Sequence, residues 1–408
     1  EHAVLRSTRW DGIYFATSAE RGHVNEQEWA FSWVLARCNH YLTNGMPGSV
    51  FSPVVKHALC YMILANASHL LAVITLYRLA RDLISTSTQA RSRIAFTAAL
   101  LHIASPAGVF LSAPYGESTF AMLNFAGTWS YSRALKLRRG GSTTKELLYT
   151  ILAGLLFALA STARSNGLLS GMLFVGDVAD AVLHPRDTIL QSRRLLRLVF
   201  VGIAGSITAI GFAAPQIVAF REYCMNNTTP RIWCERIPPS IYSWVQDHYW
   251  GVGFLRYWTL SNLPLFLLAA PMLGVLLVTA STALWRPRSI TRGCVGTSRH
   301  RGVAAAEEED MAQILRRLAA PQLILAVMAA TSFHIQIVNR ISSGYPLWYL
   351  TLAIRLCSGS EISGGESRKG TRPKSKTAPL PGMEWIVRGM IIYAIIQGGL
   401  YASFLPPA

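Results

Sequence analysis

Asp11, Glu26 and Glu117 are the carboxylates whose surroundings suggest chemistry. Asp11 follows Trp10 and heads a helix-like run, 12 to 21, that stops at Gly22. A desolvated carboxylate at a membrane surface could take a proton from a sugar hydroxyl. Asp11 also reads as an N-cap, with Gly22 ending the helix and Trp10 in an interfacial aromatic belt. The two readings are compatible, because a capped helix also holds the carboxylate still. Glu26 and Glu28 flank Gln27 just before Trp29-Ala30-Phe31. Acids beside aromatics suit sugar hydroxyls and ring faces, and equally suit a solvated edge. Glu117 falls where an apolar run begins, the place where an acid complements a helix N-terminus.

Arg164 and Asn166 share a turn between two apolar runs, too short to leave the neighbourhood of a bilayer. An isolated Arg there either snorkels to lipid headgroups or binds an anion such as a phosphate. The segment 221 to 257 is neither apolar enough to cross a membrane nor basic enough to sit beside the cytosol. It holds Cys224 and Cys234, overlapping glycosylation sequons headed by Asn226 and Asn227, and a dense run of aromatics. It is expected to fold as a loop outside the cytosol. A further sequon, Asn66-Ala67-Ser68, is buried within an apolar span.

The elements that must position these residues are membrane helices. The 408 residues are 51% hydrophobic and 14% charged, against roughly 25% charged in soluble domains. The net charge of +17 is carried in short gaps between apolar runs, which is the positive-inside pattern and not the basic face of a nucleic-acid binder. Nine spans are expected, at 54 to 77, 94 to 113, 118 to 134, 147 to 163, 167 to 183, 196 to 219, 262 to 285, 319 to 338 and 385 to 404. A short one at 345 to 357 makes ten. Lipid leaves no partner for an open strand edge, so the fold class is all-α and polytopic. Arg-rich connections put 286 to 318 and a Gly, Ser and Pro-rich linker, 358 to 384, in the cytosol. Residues 1 to 53 and 220 to 258 then share the opposite face. No Walker-type loop, dinucleotide fingerprint or H-E-x-x-H spacing occurs, and no metal site is expected. The start at Glu1, with no apolar stretch ahead of Trp10, predicts that the natural chain extends upstream.

The string Pro239-Ser240-Ile241-Tyr242-Ser243, with Val245-Gln246, Tyr249-Trp250 and Val252-Gly253-Phe254-Leu255-Arg256-Tyr257-Trp258, closely resembles the GPI mannosyltransferase 2 family of the endoplasmic reticulum. The resemblance covers most of the chain. It includes Arg9-Trp10-Asp11, Glu26, Tyr115 with Glu117, Ala163-Arg164-Ser165-Asn166-Gly167, Cys224 with Trp233-Cys234, and Gln336 with Arg340. Departures are His23 in place of a usual Tyr, Gly116 in place of a small hydroxyl residue, and an insertion-like stretch at 286 to 318.

The resemblance implies a GT-C-like glycosyltransferase with its active site on the lumenal side. It would transfer the second mannose, α1,6-linked, from dolichyl phosphate mannose to a Man-GlcN-phosphatidylinositol acceptor, with inversion and without a cofactor. Asp11 is expected as the base or its orienter, with Glu26 and Glu117 as alternatives. Trp10, Arg164, Asn166, Arg256, Tyr257 and Arg340 are expected to bind substrate, Arg164 and Arg256 at the phosphate. In an oxidising lumen, Cys224 and Cys234 are expected to pair. The expected partners are the two lipid substrates, with room for a small membrane subunit. A polytopic transporter or a non-catalytic subunit remain alternatives. Against transport, the unusual residues cluster at one surface instead of at mid-membrane.

Overall fold

The computed structural model describes residues 1–46, 51–183, 192–225, 231–291, 301–360 and 383–403. The regular elements among them are helical. They are α1 (His2–Ser7), α2 (Asp11–Arg21), α3 (Trp33–Asn44), α4 (Pro53–Leu83), α5 (Thr88–Ile103), α6 (Glu117–Arg139), α7 (Thr143–Ala163), α8 (Met172–Leu183) and α9 (Ser192–Phe220). The remainder are α10 (Ile241–Trp250), α11 (Leu263–Trp285), α12 (Arg301–Thr331), α13 (Pro346–Ser360) and α14 (Met383–Ala402), with single turns between them.

Among the described residues, seven helical segments are long and apolar enough to cross a membrane: Pro53–Leu83, Thr143–Ala163, Ser165–Leu183, Ser192–Met225, Leu260–Trp285, Ala305–Thr331 and Glu384–Ala402. Leu70, Leu148, Ile210 and Leu267 on these helices are exposed, which is stable where lipid replaces water as solvent. The other expected spans differ for physical reasons. The run at 94 to 113 is broken, because α5 ends at Ile103 and Pro106 follows within three residues. The run at 118 to 134 lies within α6, which is long but polar. This helix packs between α4 and α7, so its buried Asn124, Thr128, Ser130 and Ser132 face protein instead of lipid. In α13 the short run at 345 to 357 is also interior, and every residue from 341 to 354 is buried.

Close approach of α7 and α9 needs small residues. A Cβ on Gly211 would stand 2.3 Å from the Ala158 carbonyl oxygen. The basic ends of the helices meet at one end of the bundle. There Glu146 receives Arg138 at 3.0 Å and also pairs with Arg197, Arg317 contacts Asp177 at 3.3 Å, and Arg139 contacts Asp310 at 2.8 Å. Helix α6 begins at Glu117 and finishes at Arg139, so Glu117 sits at the other end, about 34 Å away at ~1.5 Å per residue. The expected linker at 358 to 384 falls largely outside the described residues, as do the sequon residues Asn226 and Asn227.

Candidate active site

Four charged side chains converge at the end of the bundle away from the basic network. Glu117 is the first residue of α6 and is 0% exposed. Its Oε1 lies 2.7 Å from Arg164 Nη1 and 2.7 Å from Arg340 Nε. The Arg164 contact is an aligned hydrogen bond, whereas the Arg340 Nε contact is an ion pair without that alignment. Arg340 reaches onward with Nη2 to Asp11 Oδ2 at 2.8 Å. Its guanidinium also stands over the rings of Phe110 and Tyr115, at 5.0 and 5.4 Å. Burial lowers the pKa of Arg340, but Glu117 and then Asp11 outweigh it and hold the pKa above the ordinary value. The cation is therefore fixed in charge and in place.

Local structure delivers each member. Trp10 takes φ 52° and is itself the N-cap of α2, with no side-chain capping bond. This corrects the expected capping role of Asp11. As the first helical residue, Asp11 turns its carboxylate to Arg340 instead. Gly22 does terminate α2, with φ 85°. Tyr115 donates from Oη to the Arg9 carbonyl at 3.0 Å, and Tyr401 donates to the Ser7 carbonyl at 2.9 Å, tying the tract before Asp11 to the α5 to α6 connection and to α14. Arg164 ends α7 in an extended conformation. The turn after it folds back so tightly that a Cβ on Gly167 would meet Ser161 N at 2.6 Å. Only glycine fits there. Asn166 is held by Tyr345, whose Oη donates to the Asn166 carbonyl at 2.8 Å.

Asp11, Arg164, Asn166 and Arg340 line one cavity of about 350 Å³. Phe15, Phe31 and Trp250 form an aromatic wall, and Leu168, Leu169 and Phe212 an apolar one. Asp11 is 32% exposed against 0% for Glu117, and of these two carboxylates Asp11 is the one that lines the cavity. Tyr242, Gln246 and His334 also line the cavity and were not singled out from the sequence. Tyr242 accepts from Ser165 Oγ at 2.6 Å, and His334 Nε2 meets the Trp250 carbonyl at 2.7 Å. Their signal was present for Tyr242, Gln246 and Trp250, inside the family-like string, but an isolated His at a helix end carries none.

Glu26 stands elsewhere. It faces Trp233 Nε1 at 3.0 Å, Trp244 Nε1 at 3.4 Å, Tyr249 Oη at 3.5 Å and Arg231 Nε at 3.6 Å, and does not line the cavity. It joins the Glu26–Ala30 turn to the segment closed by the disulfide and to α10. Arg256 is likewise apart, exposed and bonded to Asp247. Tyr257 stacks on His334 with ring centroids 4.7 Å apart and donates to Gln336 at 3.1 Å, which puts it behind the cavity wall. Trp10 packs against the core beside Asp11 without lining the cavity. Cys224 and Cys234 form a disulfide with Cα atoms 5.7 Å apart. Among the described residues no group of three or more His, Cys, Asp or Glu is placed to hold a metal ion.

The family model described as Mannosyltransferase (PIG-V) matches residues 1–408. GPI mannosyltransferase 2 of Aspergillus oryzae is 40% identical over 407 residues, covering 99% of this chain and 83% of the relative. The enzyme of the same name from Chaetomium globosum is 41% identical over 434 residues, at 99% and 84% coverage, and that of Yarrowia lipolytica 31% identical over 407 residues, at 99% and 88%. Among solved structures, the archaeal oligosaccharyltransferase AglB from Archaeoglobus fulgidus superposes with a TM-score of 0.49 at 11% identity. That match covers 93% of this chain and 48% of AglB, so the chain spans about half of AglB's length. By its match along the whole sequence, the chain belongs to the PIG-V mannosyltransferase family, whose members transfer mannose in the assembly of GPI anchors.

Proposed function

We propose that the chain transfers the second mannose, α1,6-linked, from dolichyl phosphate mannose to the Man-GlcN-phosphatidylinositol intermediate. The reaction takes place on the lumenal face of the endoplasmic reticulum membrane. The observation that carries this reading is the meeting of Asp11, Arg164 and Arg340 on one cavity, with both guanidiniums held by the buried Glu117.

In an inverting, GT-C-like displacement, Asp11 takes the proton of the acceptor 6-hydroxyl. The oxygen bonds to the anomeric carbon of the β-linked donor as the carbon to phosphate-oxygen bond breaks. The electron pair of that bond leaves with the phosphate, and the products are dolichyl phosphate and the acceptor extended by an α1,6-linked mannose. Arg164 and Arg340 offset the charge gathering on the phosphate through charge-assisted hydrogen bonds. Glu117 positions them. In this scheme no cofactor takes part, and a small membrane subunit is the one macromolecular partner it leaves room for. The disulfide between Cys224 and Cys234 supports an oxidising, lumenal setting for this end of the bundle.

The test is transfer in membranes carrying the chain, with radiolabelled dolichyl phosphate mannose and the one-mannose acceptor. A product sensitive to α1,6-mannosidase is expected. Labelling from GDP-mannose with dolichyl phosphate mannose inert would overturn the donor assignment.

A further inference from the structure

Most uncharged polar side chains on the cavity wall are already committed to protein. Ser32 bonds the Thr162 carbonyl, Ser165 bonds Tyr242, and Asn166 bonds Tyr345. Gln246 and His334 line the same cavity. The side-chain amide of Gln246 has no hydrogen-bond partner among the described residues, and His334 uses one of its two nitrogens. Its Nε2 meets the carbonyl of Trp250, the last residue of α10, at 2.7 Å. A carbonyl only accepts, so Nε2 carries the ring hydrogen, and in the neutral imidazole the lone pair lies on Nδ1. Capping α10 accounts for Nε2, since the last carbonyls of a helix have no partner within it. It gives Nδ1 no role, although the ring is held in place. Tyr257 stacks on it at 4.7 Å and is itself bonded to Gln336.

Helix α10 sets Gln246 in the same way. Tyr242, Gln246 and Trp250 recur every four residues, so they share one face of α10, and all three line the cavity. Trp250 is held edge-on to Phe31, with ring centroids 5.9 Å apart. An indole flanked by an amide and an imidazole lone pair offers an apolar surface with a few placed polar groups. A sugar ring has the matching features, apolar C–H faces and a rim of hydroxyls, whereas Arg164 and Arg340 suit a phosphate. We infer that Gln246 and His334 hold non-reacting hydroxyls of a mannose ring laid against Trp250, with His334 Nδ1 accepting from one of them. The inference deepens the proposed function and rests on it. Donor and acceptor each bring a mannose to the cavity, and the chemistry that recognises the ring is the same for both.

The test measures kcat/KM with monodeoxy analogues of the donor mannose and of the acceptor's terminal mannose, the reacting 6-hydroxyl excepted. Removing the hydroxyl that His334 holds should cost the wild type about ten-fold. His334→Gln keeps a donor for the Trp250 carbonyl but no acceptor where Nδ1 stood. It should be about ten-fold slower with the full substrates and show no further loss with that analogue. His334→Asn keeps an acceptor at that place and gives up the Trp250 bond, so it should still discriminate. Whether the sensitive position lies on the donor or the acceptor identifies which mannose is held. Equal penalties in wild type and the Gln variant at every position would overturn the assignment. A benign Gln variant beside an impaired Asn variant would also overturn it, being the pattern of a helix cap alone. Gln246→Leu should erase the penalty at a second hydroxyl, and penalties unchanged at every position would remove Gln246. If the wild type transfers no mannose from dolichyl phosphate mannose, the proposed function fails and this assignment with it.

Discussion

Arg340 Nη2 stands 2.8 Å from Asp11 Oδ2 across 329 positions of sequence, and the same guanidinium contacts Glu117. Asp11 is thus anchored by Arg340 while it lines the cavity. Asp11→Asn keeps the shape and leaves Arg340 its contact with Glu117, so the protein should insert and fold normally. Transfer should fall by about 10² to 10⁴, as for loss of a general base. Initial rates with both lipid substrates decide this, and near wild-type turnover would remove Asp11 from the role.

Glu117 is expected to act through the two arginines. Glu117→Ala leaves two guanidiniums facing each other without their shared anion, a loss of about 3 to 5 kcal/mol for a broken buried pair. Glu117→Gln should retain more stability but raise donor KM more than it lowers kcat. Thermal unfolding with donor titrations separates the two effects. An unchanged donor KM in the folded Gln variant would leave Glu117 a purely structural anchor.

Glu26→Gln and Arg256→Ala address residues that their partners withdraw from the cavity. Both should keep kcat within a few-fold of wild type. The Gln variant should loosen the Trp233 and Trp244 contacts, at a cost of about 1 to 3 kcal/mol, seen as faster proteolysis of the disulfide segment. A loss of transfer on the scale of Asp11→Asn would restore Glu26 as a base.

Acid should weaken the fold at His23. Burial lowers its pKa from 6.5 to about 4, against the attraction of Glu28. The folded chain binds this proton less readily than the unfolded chain, so stability is full above 6.5 and declines as pH falls toward 4. The decline is on the order of 3 kcal/mol. Glu28 acts in the same direction lower down. Burial would raise it, but bonds from Asn25, Val24 and Arg21 hold it below 4.5, and its contribution is lost as pH falls through that lower value. His23→Phe should flatten the upper part of the profile in detergent melting curves. An unchanged slope between pH 6.5 and 4 would exclude His23.

Orientation can be read through the disulfide. In sealed microsomes Cys224 and Cys234 should become reactive to maleimide only after a membrane-permeant reductant, and an impermeant one should fail until the vesicles are opened. Labelling in intact vesicles with the impermeant reagent would invert the topology.

Much of the scaffold was legible because apolar length is written locally. The disulfide was legible too, since Cys224 and Cys234 share one short segment. Helix α6 was expected as a span from its apolar run at 118 to 134, and its buried Asn124 bonds the Gly344 carbonyl at 2.8 Å and Ser170 at 2.6 Å. Packing between α4 and α7 is what lets these polar residues face protein. The site was legible in its members but not in their pairing. Glu26 beside aromatics looked like sugar recognition, yet the indoles that claim it come more than 200 positions later. Arg256 was expected at the donor phosphate, but α10 sets Asp247 beside it.

The four central charges cancel, Asp11 and Glu117 against Arg164 and Arg340, two negative and two positive. In the proposed displacement, the proton that reaches Asp11 erases the charge that Arg340 Nη2 had been holding, at the moment the departing phosphate gains one. The guanidinium can then change clients without moving far. Base and leaving-group binder become two ends of a single hand-over, in which accepting the proton frees the cation for the phosphate. Asp11→Asn imitates the protonated carboxyl, so it should bind dolichyl phosphate more tightly than the wild type does. Equal affinity would uncouple the two events.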